Sequence, residues 1–392
     1  MQSTVLTNAR IVTEPVIENG FVWIKGERIY KLGDMEECPS LEKSDLVINC
    51  EKGEWVIPGM IDVHIHGAGG SDVMDATPDA LETMTRLLPE EGTTSFLATT
   101  LTSSKSNIEA ALKNTAEYVD GKNKPGQAEI VGIHLEGPFI NKEKKGAQPE
   151  EHIIEPNIDL FDEWQRLSNH LIKLVTLAPE LDRDHALVRH LVKTGVIASM
   201  GHTSADYDEV QHAVQHGLSH VTHLYNAMTG VHHRDPGAAG AALIMDELMV
   251  EIIADGIHAH PEMAKLAFRS KGSGKIVLIT DSMRAKCLKN GTYDLGGQAV
   301  HVEDGRAELS NGSLAGSVLK LSEGRRNMQQ WTDASIGELV AMTSENPAKE
   351  LGIFDRKGSI EAGKDADLVL IGSKQEVLLT MCRGEVAFQK TE

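Results

Sequence analysis

Six acidic or imidazole side chains occur in short motifs that end or directly follow apolar runs of the sequence. They are His64 and His66 in DVHIHG, Glu136 in HLEGP, His202 in GHT, His223 in THL and Asp281 in TDS. Imidazole and carboxylate groups together are the ligands that proteins use for zinc, iron(II) and similar metals. Because alternate residues of a strand point to the same side, His64 and His66 can reach one ion. These residue types and their spacing therefore predict a metal site.

The apolar runs that carry these residues alternate with stretches of helical character. The eight runs are residues 56–63, 94–98, 129–134, 174–177, 197–200, 219–222, 249–253 and 275–280. Strands that alternate with helices predict an α/β fold, and the count of eight favours a closed (β/α)8 barrel of the TIM type over an open sheet. The carboxyl ends of barrel strands meet at one mouth. We therefore expect the six side chains to converge there.

Helix-start signals lie between several of these runs. Thr77-Pro78 places a capping residue before a proline at the first helical position, and His260-Pro261 indicates a second helix start. Ser106-x-x-Glu109 fits a capping box. After the eighth run, residues 281–317 contain the turn dipeptides Asn290-Gly291 and Asn311-Gly312. They predict an inserted hairpin.

The two ends of the chain have a different pattern, with short β-rich segments separated by tight turns. These segments are residues 5–12, 21–25, 28–32, 368–371 and 386–388. Lys25-Gly26-Glu27-Arg28 is typical of a hairpin turn. We predict a small β-sandwich domain formed from both chain termini, residues 1–55 and 357–392, with the barrel formed by residues 56–356.

Composition excludes several classes of partner. The chain has 392 residues and a formal net charge of -20, which disfavours binding to nucleic acid and to anionic membranes. The four cysteines lack CxxC spacing, which argues against a zinc knuckle or a disulfide framework. The sequence has no signal-peptide pattern and no apolar run near the ~20 residues of a membrane span, so we expect a cytoplasmic protein. An anionic ligand would need local cations.

Two longer motifs carry a resemblance to a known superfamily. Residues 58–67, PGMIDVHIHG, and residues 358–369, GSIEAGKDADLV, resemble the strand-one signature and the C-terminal return strand of the amidohydrolase superfamily. Within it, HLEGPF at 134–139, GHT at 201–203 and THLYNAM at 222–228 resemble the N-acetylglucosamine-6-phosphate deacetylase family. The resemblance implies hydrolysis of N-acetylglucosamine 6-phosphate to glucosamine 6-phosphate and acetate by a metal-activated water, in amino-sugar catabolism or cell-wall recycling.

The resemblance also implies roles for the six side chains. Glu136, His202 and His223 would hold the principal metal, and His64 and His66 could hold a second one. Asp281 would accept the proton of the attacking water and deliver it to the departing amine. The ligands fit zinc and iron(II) about equally well, with one or two ions per subunit.

The family's substrate contacts map onto further residues. Those implied to bind the substrate are Asn226, the backbone of Ala227, Arg234, His258, Gln148 and Leu314. Asn226, Ala227, Arg234 and His258 match contacts to the sugar phosphate, and Leu314 belongs to a segment near the N-acetyl group. Gln148 stands where many relatives have a histidine. Some of the family's contacts come from a neighbouring subunit, which implies a homodimer.

Three alternatives remain open at this level. The substrate could be N-acetylgalactosamine 6-phosphate, since no motif reads the epimeric hydroxyl. The enzyme could be a cyclic-amide hydrolase or deaminase, but many of those use a carboxylated lysine after strand four, where this chain has Ala178-Pro179-Glu180. A non-enzymatic scaffold would be expected to lose metal ligands, whereas this sequence retains them.

Overall fold

The N-terminal part of the chain forms five short strands. In the computed structural model, which describes residues 3–41 and 45–391, they are β1 (Ser3–Ile11), β2 (Ile17–Lys25), β3 (Arg28–Asp34), β4 (Leu46–Asn49) and β5 (Trp55–Pro58). Strand β1 pairs antiparallel with β2, and parallel with β4 and then with β5 further along. Gly26, at φ 58°, closes the predicted hairpin between β2 and β3. Residues 1–2, 42–44 and 392, which the predicted domain bounds include, lie outside the described residues.

The central part of the chain forms a parallel barrel. Its strands are β6 (Met60–Ile65), β7 (Gly67–Ala68), β8 (Ser71–Asp72), β9 (Thr93–Thr100), β10 (Glu129–Glu136), β11 (Ile172–Leu177), β12 (Ile197–Met200), β13 (His220–Val221), β14 (Met249–Ile253) and β15 (Ile276–Ile279). Strands β6 and β9 to β15 pair in chain order, while β7 and β8 form a short ribbon. Asp281 N donates to His64 O at 2.8 Å, and His66 N to Ser282 O at 2.9 Å. The two edges of the sheet therefore meet at the barrel mouth.

Helices cover the outside of the barrel. They are α1 (Pro78–Leu87), α2 (Lys105–Lys122), α3 (Ile158–Leu167), α4 (Ala186–Lys193), α5 (Tyr207–Gln215), α6 (Gly237–Ile244), α7 (Pro261–Lys271), α8 (Leu321–Thr332), α9 (Ile336–Val340) and α10 (Asn346–Glu350). Helices α1 and α7 begin at the prolines, as predicted. None of the described helices is both long and apolar enough to cross a membrane.

The capping box predicted at Ser106 is wrong by two residues. Helix α2 begins at Lys105, and Ser104 caps it by accepting a hydrogen bond from Asn107 N at 3.3 Å. Ser106 lies inside the first turn, and Glu109 pairs with Lys105 at 3.4 Å. The earlier serine therefore accepts from the free N–H group of the first turn.

The inserted segment after the barrel is a three-stranded antiparallel sheet. It consists of β16 (Gly291–Leu295), β17 (Gln298–Glu303) and β18 (Arg306–Leu309). Its apolar side chains Leu295, Val300 and Val302 pack against Leu101 and Met283. Because Leu101 follows β9 and Met283 follows β15, the sheet lies beside the barrel mouth.

The C-terminal strands complete the terminal domain. They are β19 (Leu368–Ile371), β20 (Val377–Cys382) and β21 (Glu385–Gln389). Strand β19 pairs antiparallel with β5 and β20, which joins both chain ends in one sheet. The sheet folds over a core that includes Leu6, Val22 and Leu368. The predicted small β-sandwich built from both termini is present.

The run of residues 56–63, predicted as one barrel strand, is two strands that belong to different sheets. Strand β5 stays in the terminal sheet, and β6 enters the barrel after a break at Gly59. A Cβ on Gly59 would lie 2.0 Å from Thr94 Oγ1, so this crossing requires glycine. The division between the domains at residues 55 and 356 stays a prediction, with β5 on the terminal side.

Candidate metal centre

The six side chains singled out in the sequence meet at the barrel mouth and are buried. The described residues include two groups here in which potential ligand atoms lie within 4.8 Å of one another. One group is His64, His66 and Asp281, and the other is Glu136, His202 and His223. The Glu136 carboxylate lies between the two groups. Its Oε1 is 3.2 Å from His202 Nε2 and 3.3 Å from His223 Nε2, and its Oε2 is 3.2 Å from His66 Nε2. One carboxylate can therefore reach both groups.

Three of these residues have a backbone conformation that non-glycine residues rarely adopt. The φ angles are 49° at His202, 33° at His223 and 47° at Asp281. Each residue is the second one beyond its barrel strand, β12, β13 or β15. Such strained positions cluster at functional sites. The chain turns sharply at each strand end, and the side chain enters the mouth.

The hydrogen bonds of His202 indicate that its Nε2 atom could act as a metal ligand. Nδ1 lies 2.8 Å from Lys144 O, and because a carbonyl only accepts, Nδ1 carries the hydrogen. In the neutral ring Nε2 then carries a lone pair and no hydrogen. It faces Glu136 Oε1 at 3.2 Å and His223 Nε2 at 3.0 Å. Electron pairs so close repel each other unless a proton or a metal cation lies between them.

His64 repeats this arrangement in the other group. Its Nδ1 lies 2.9 Å from Glu251 Oε2, while Nε2 faces Asp281 Oδ1 at 3.4 Å and Glu136 Oε1 at 3.5 Å. Within the described part of the chain, Nε2 is a buried nitrogen without a hydrogen-bond partner. Burial would lower the pKa of His64, but Asp281, Glu251 and Glu136 raise it well above its ordinary value. The residues therefore fit a divalent cation, which would neutralise this excess of carboxylate charge.

Asp281 lies at the edge of this group, beside the rings of His64 and His66. Burial would raise the pKa of its carboxyl, but the charge of His64 and a hydrogen bond from His66 lower it overall. The His66 Nε2 to Asp281 Oδ1 distance is 3.2 Å. Ser317 N donates to Asp281 O at 2.7 Å and fixes its backbone. An ionised carboxylate here can accept a proton at neutral pH.

A cavity of about 350 Å³ opens above the centre. Its lining includes the predicted residues His66, Glu136, His202, His223, Asp281, Asn226, Ala227, His258, Gln148 and Leu314. His64 lies beneath the cavity floor with a side-chain exposure of 0%. Arg234 is not among the described lining residues; it is exposed, with Nη1 2.7 Å from His233 Nε2. The structure thus brings every predicted site residue except Arg234 to this cavity or directly below it.

Gln148 lines the cavity, but its side-chain amide forms a hydrogen bond with the Glu136 carboxylate. Nε2 donates to Glu136 Oε2 at 2.7 Å, and Oε1 accepts from Thr102 N at 2.8 Å. Both ends of the amide are therefore engaged, and the side chain orients the Glu136 carboxylate.

His258 is oriented by Asp255 in the same way. The Nδ1 to Asp255 Oδ2 distance is 2.6 Å. Burial would raise the pKa of Asp255, but the hydrogen bond and charge of His258 lower it. The ionised carboxylate holds Nδ1, which leaves Nε2 for a ligand in the cavity.

Two acids that position site residues were missed by the sequence analysis. Glu180 accepts hydrogen bonds from Thr203 Oγ1 at 2.5 Å and from Ser204 N at 2.7 Å, and so holds the segment after His202. Glu251 accepts from His64. Glu251 had a usable signal, because it is the single charge in the apolar run 249–253. Glu180 is the third residue beyond strand β11, at the end where sites form.

Comparison with known proteins agrees with this geometry. The amidohydrolase family matches residues 55–387. An N-acetylglucosamine-6-phosphate deacetylase of Bacillus subtilis is 50% identical, covering 100% of this chain and 98% of the relative. The N-acetylglucosamine-6-phosphate deacetylase structure from Thermotoga maritima superposes with a TM-score of 0.88 at 35% identity, over 98% of this chain and 100% of that one. A mutant enzyme of the same name from Mycobacterium smegmatis, solved in complex with N-acetyl-D-glucosamine-6-phosphate, gives 0.91 at 28% identity, over 99% and 100%. The chain belongs to the amidohydrolase family, whose members depend on metal ions.

Proposed function

We propose that this protein hydrolyses N-acetylglucosamine 6-phosphate to glucosamine 6-phosphate and acetate. The observation that carries the proposal is the Glu136 carboxylate lying between imidazoles of two ligand groups, with Asp281 beside it in the wall of one cavity. Full-length similarity to a deacetylase of this specificity supports the same reaction.

The ligand sets of the proposed centre are Glu136, His202 and His223 for one divalent cation and His64 and His66 for a second, with Glu136 close to both. Zinc and iron(II) both suit these donors. When bound, such a cation supplies a water-derived nucleophile at neutral pH and polarises the amide carbonyl.

The chain's own residues then handle the proton and the substrate. Asp281 accepts the proton that the attacking water loses, and it returns this proton to the amine as the C–N bond breaks. Gln148 holds Glu136 in place, and Lys144 O holds the His202 ring. Apolar groups of Leu101, Leu295 and Leu314 line the cavity and suit the acetyl methyl. Acetate and the free amine are the products.

The phosphate is proposed to bind at Asn226, the Ala227 backbone and His258, all of which line the cavity. Arg234 is exposed outside the cavity of its own chain. This position supports a homodimer in which Arg234 serves the neighbouring subunit's phosphate site. Sedimentation velocity should give the mass of two chains, and an Arg234→Ala variant should raise KM for the phosphorylated sugar. A single-chain mass with full activity would contradict the shared site.

Acetate release tests the reaction itself. The purified protein should be assayed on N-acetylglucosamine and N-acetylgalactosamine, each with and without a 6-phosphate. We expect turnover of the gluco 6-phosphate and little turnover of the free sugars. A chelator should abolish the activity, and added zinc or iron(II) should restore it. Equal turnover of free and phosphorylated sugars would remove the phosphate assignment, and chelator-resistant turnover would remove the metal centre.

A further inference from the structure

A carboxylate that the mechanism does not use lies directly below the metal centre. Glu251, on β14, has a side-chain exposure of 0%. Its Oε2 is 2.9 Å from His64 Nδ1, and it also accepts a hydrogen bond from His223 N at 3.0 Å. One carboxylate oxygen therefore contacts a residue from each of the two ligand groups.

The other oxygen of Glu251 is held from below. Oε1 is 3.2 Å from His220 Nε2, and His220 Nδ1 is 2.9 Å from Glu350 Oε2. His220 stands at the start of β13, and Glu350 ends α10 with a side-chain exposure of 23%. An alternating chain of imidazoles and carboxylates thus runs from His64 through the barrel interior to the surface.

We propose that Glu251, itself held by His220 and Glu350, is the positioning residue that presents His64 Nε2 to a metal cation. The proposal rests on the metal centre of the proposed function. A histidine ligand is oriented when its second nitrogen donates to a carboxylate, which fixes the tautomer and makes the ligating nitrogen more basic. With Nδ1–H donated to Glu251, His64 must direct its lone pair upward, where Asp281 and Glu136 face it.

The geometry also separates this role from plain packing of a polar core. Glutamine has the same shape as glutamate, and its oxygen can accept from both His64 Nδ1 and His223 N. Its amide can donate to His220 Nε2 when the His220 ring is neutral and keeps its hydrogen on Nδ1, toward Glu350. A packing role would therefore tolerate Glu251→Gln. The positioning role needs the negative charge, because the charge strengthens His64 as a ligand.

The experiment measures cation affinity rather than activity. Metal-free wild type, Glu251→Gln and Glu350→Gln would each be titrated with Zn²⁺ against a chromophoric chelator, with zinc per chain measured by atomic emission. We expect two cations in the wild type. In Glu251→Gln, one should bind as in the wild type and the other ~10-fold or more weakly. Glu350 touches no proposed ligand, so Glu350→Gln should weaken the binding of the same cation by a smaller factor.

Glu129→Gln is the matched control, since it removes a buried carboxylate far from the mouth and should leave both affinities unchanged. If the wild type binds no cation, the metal centre itself is wrong. If the wild type binds two and Glu251→Gln binds both equally well, the positioning role is wrong. A third cation that only Glu251→Gln loses would make Glu251 a ligand and also overturn the proposal. Should Glu251→Gln not fold, unchanged affinities in Glu350→Gln would contradict the role.

Discussion

Strand β10 has a charged cluster at each of its two ends, and the two clusters differ in how their carboxylates are paired. At its start, Glu129 lies in a seam cluster with Arg356, Lys357, Asp365 and Asp367, between the barrel and the terminal domain. Glu129 Oε1 is 2.6 Å from Arg356 Nη2, and its Oε2 is 2.7 Å from Lys357 Nζ. At the other end of the strand, Glu136 faces imidazoles. The seam carboxylates have lysine and arginine partners, whereas the mouth carboxylates have none among the described residues.

The difference separates a cluster that is complete within the chain from one whose groups could hold a metal ion. In the seam, Lys357 also pairs with Asp365 at 3.0 Å and with Asp367, and Arg356 pairs with Asp365 at 2.7 Å. Arg28 adds a third cation, with Nη1 2.7 Å from Asp365 Oδ1, so three cations face the three carboxylates of the seam. At the mouth, His64 Nε2 stays without a hydrogen-bond partner among the described residues, and lone pairs face carboxylates. A cluster whose charges do not balance internally is one that an added cation completes.

The largest expected effect is at the mouth. Asp281→Asn removes the proposed proton acceptor but keeps Glu136, His202 and His223, so bound metal should remain while kcat falls ~10²–10⁴-fold. Steady-state acetate release and metal analysis on the same sample measure both. Asp365→Asn, the same substitution in the seam cluster, should keep kcat per folded molecule. Near-normal turnover in Asp281→Asn would remove Asp281 from the mechanism.

A change of intermediate size is expected in the seam cluster. Lys357→Met leaves Glu129, Asp365 and Asp367 short of one buried cation, so the free energy of unfolding should fall by about 3–5 kcal/mol. Urea denaturation measures this, and kcat per folded molecule should not change. Lys349→Met is the control, since Lys349 pairs with Glu345 on the exposed face of a helix and should cost less than ~1 kcal/mol. Similar losses in both variants would show that the seam cluster carries no special stability.

The smallest effect is the response of the seam cluster to acid. Burial would raise the pKa of Glu129, but Lys357 and Arg356 lower it from 4.5 to about 2. A carboxyl whose pKa is lower in the folded state than in the unfolded state stabilises the fold at pH values above the unfolded-state pKa. This stabilisation is lost as the pH falls from the unfolded-state pKa to the folded-state pKa. The contribution is at most about 3 kcal/mol. Urea unfolding at pH 5 and pH 3 should therefore show a steeper loss in the wild type than in Glu129→Gln, and equal slopes would contradict the shift.

Much of the fold and of the candidate centre could be predicted because it depends on residues that are close together in the sequence. Apolar runs of strand length, proline helix starts and the HxH spacing depend on neighbours in sequence. The strands, and the polar groups that the structure brings to the barrel mouth, could therefore be read directly. The break at Gly59 could not, because it depends on the approach of Thr94 from another strand. The position of Arg234 outside the cavity also depends on how a loop folds.

The sequence by itself determined the residue types at the strand ends and the order in which the strands follow one another. Only the tertiary structure decided which of these groups touch. His64 and Glu251 are 187 residues apart, and His220 and Glu350 are 130 apart, yet each pair is joined by a hydrogen bond. Such contacts arise from the closure and register of the barrel, which no local preference of the chain encodes.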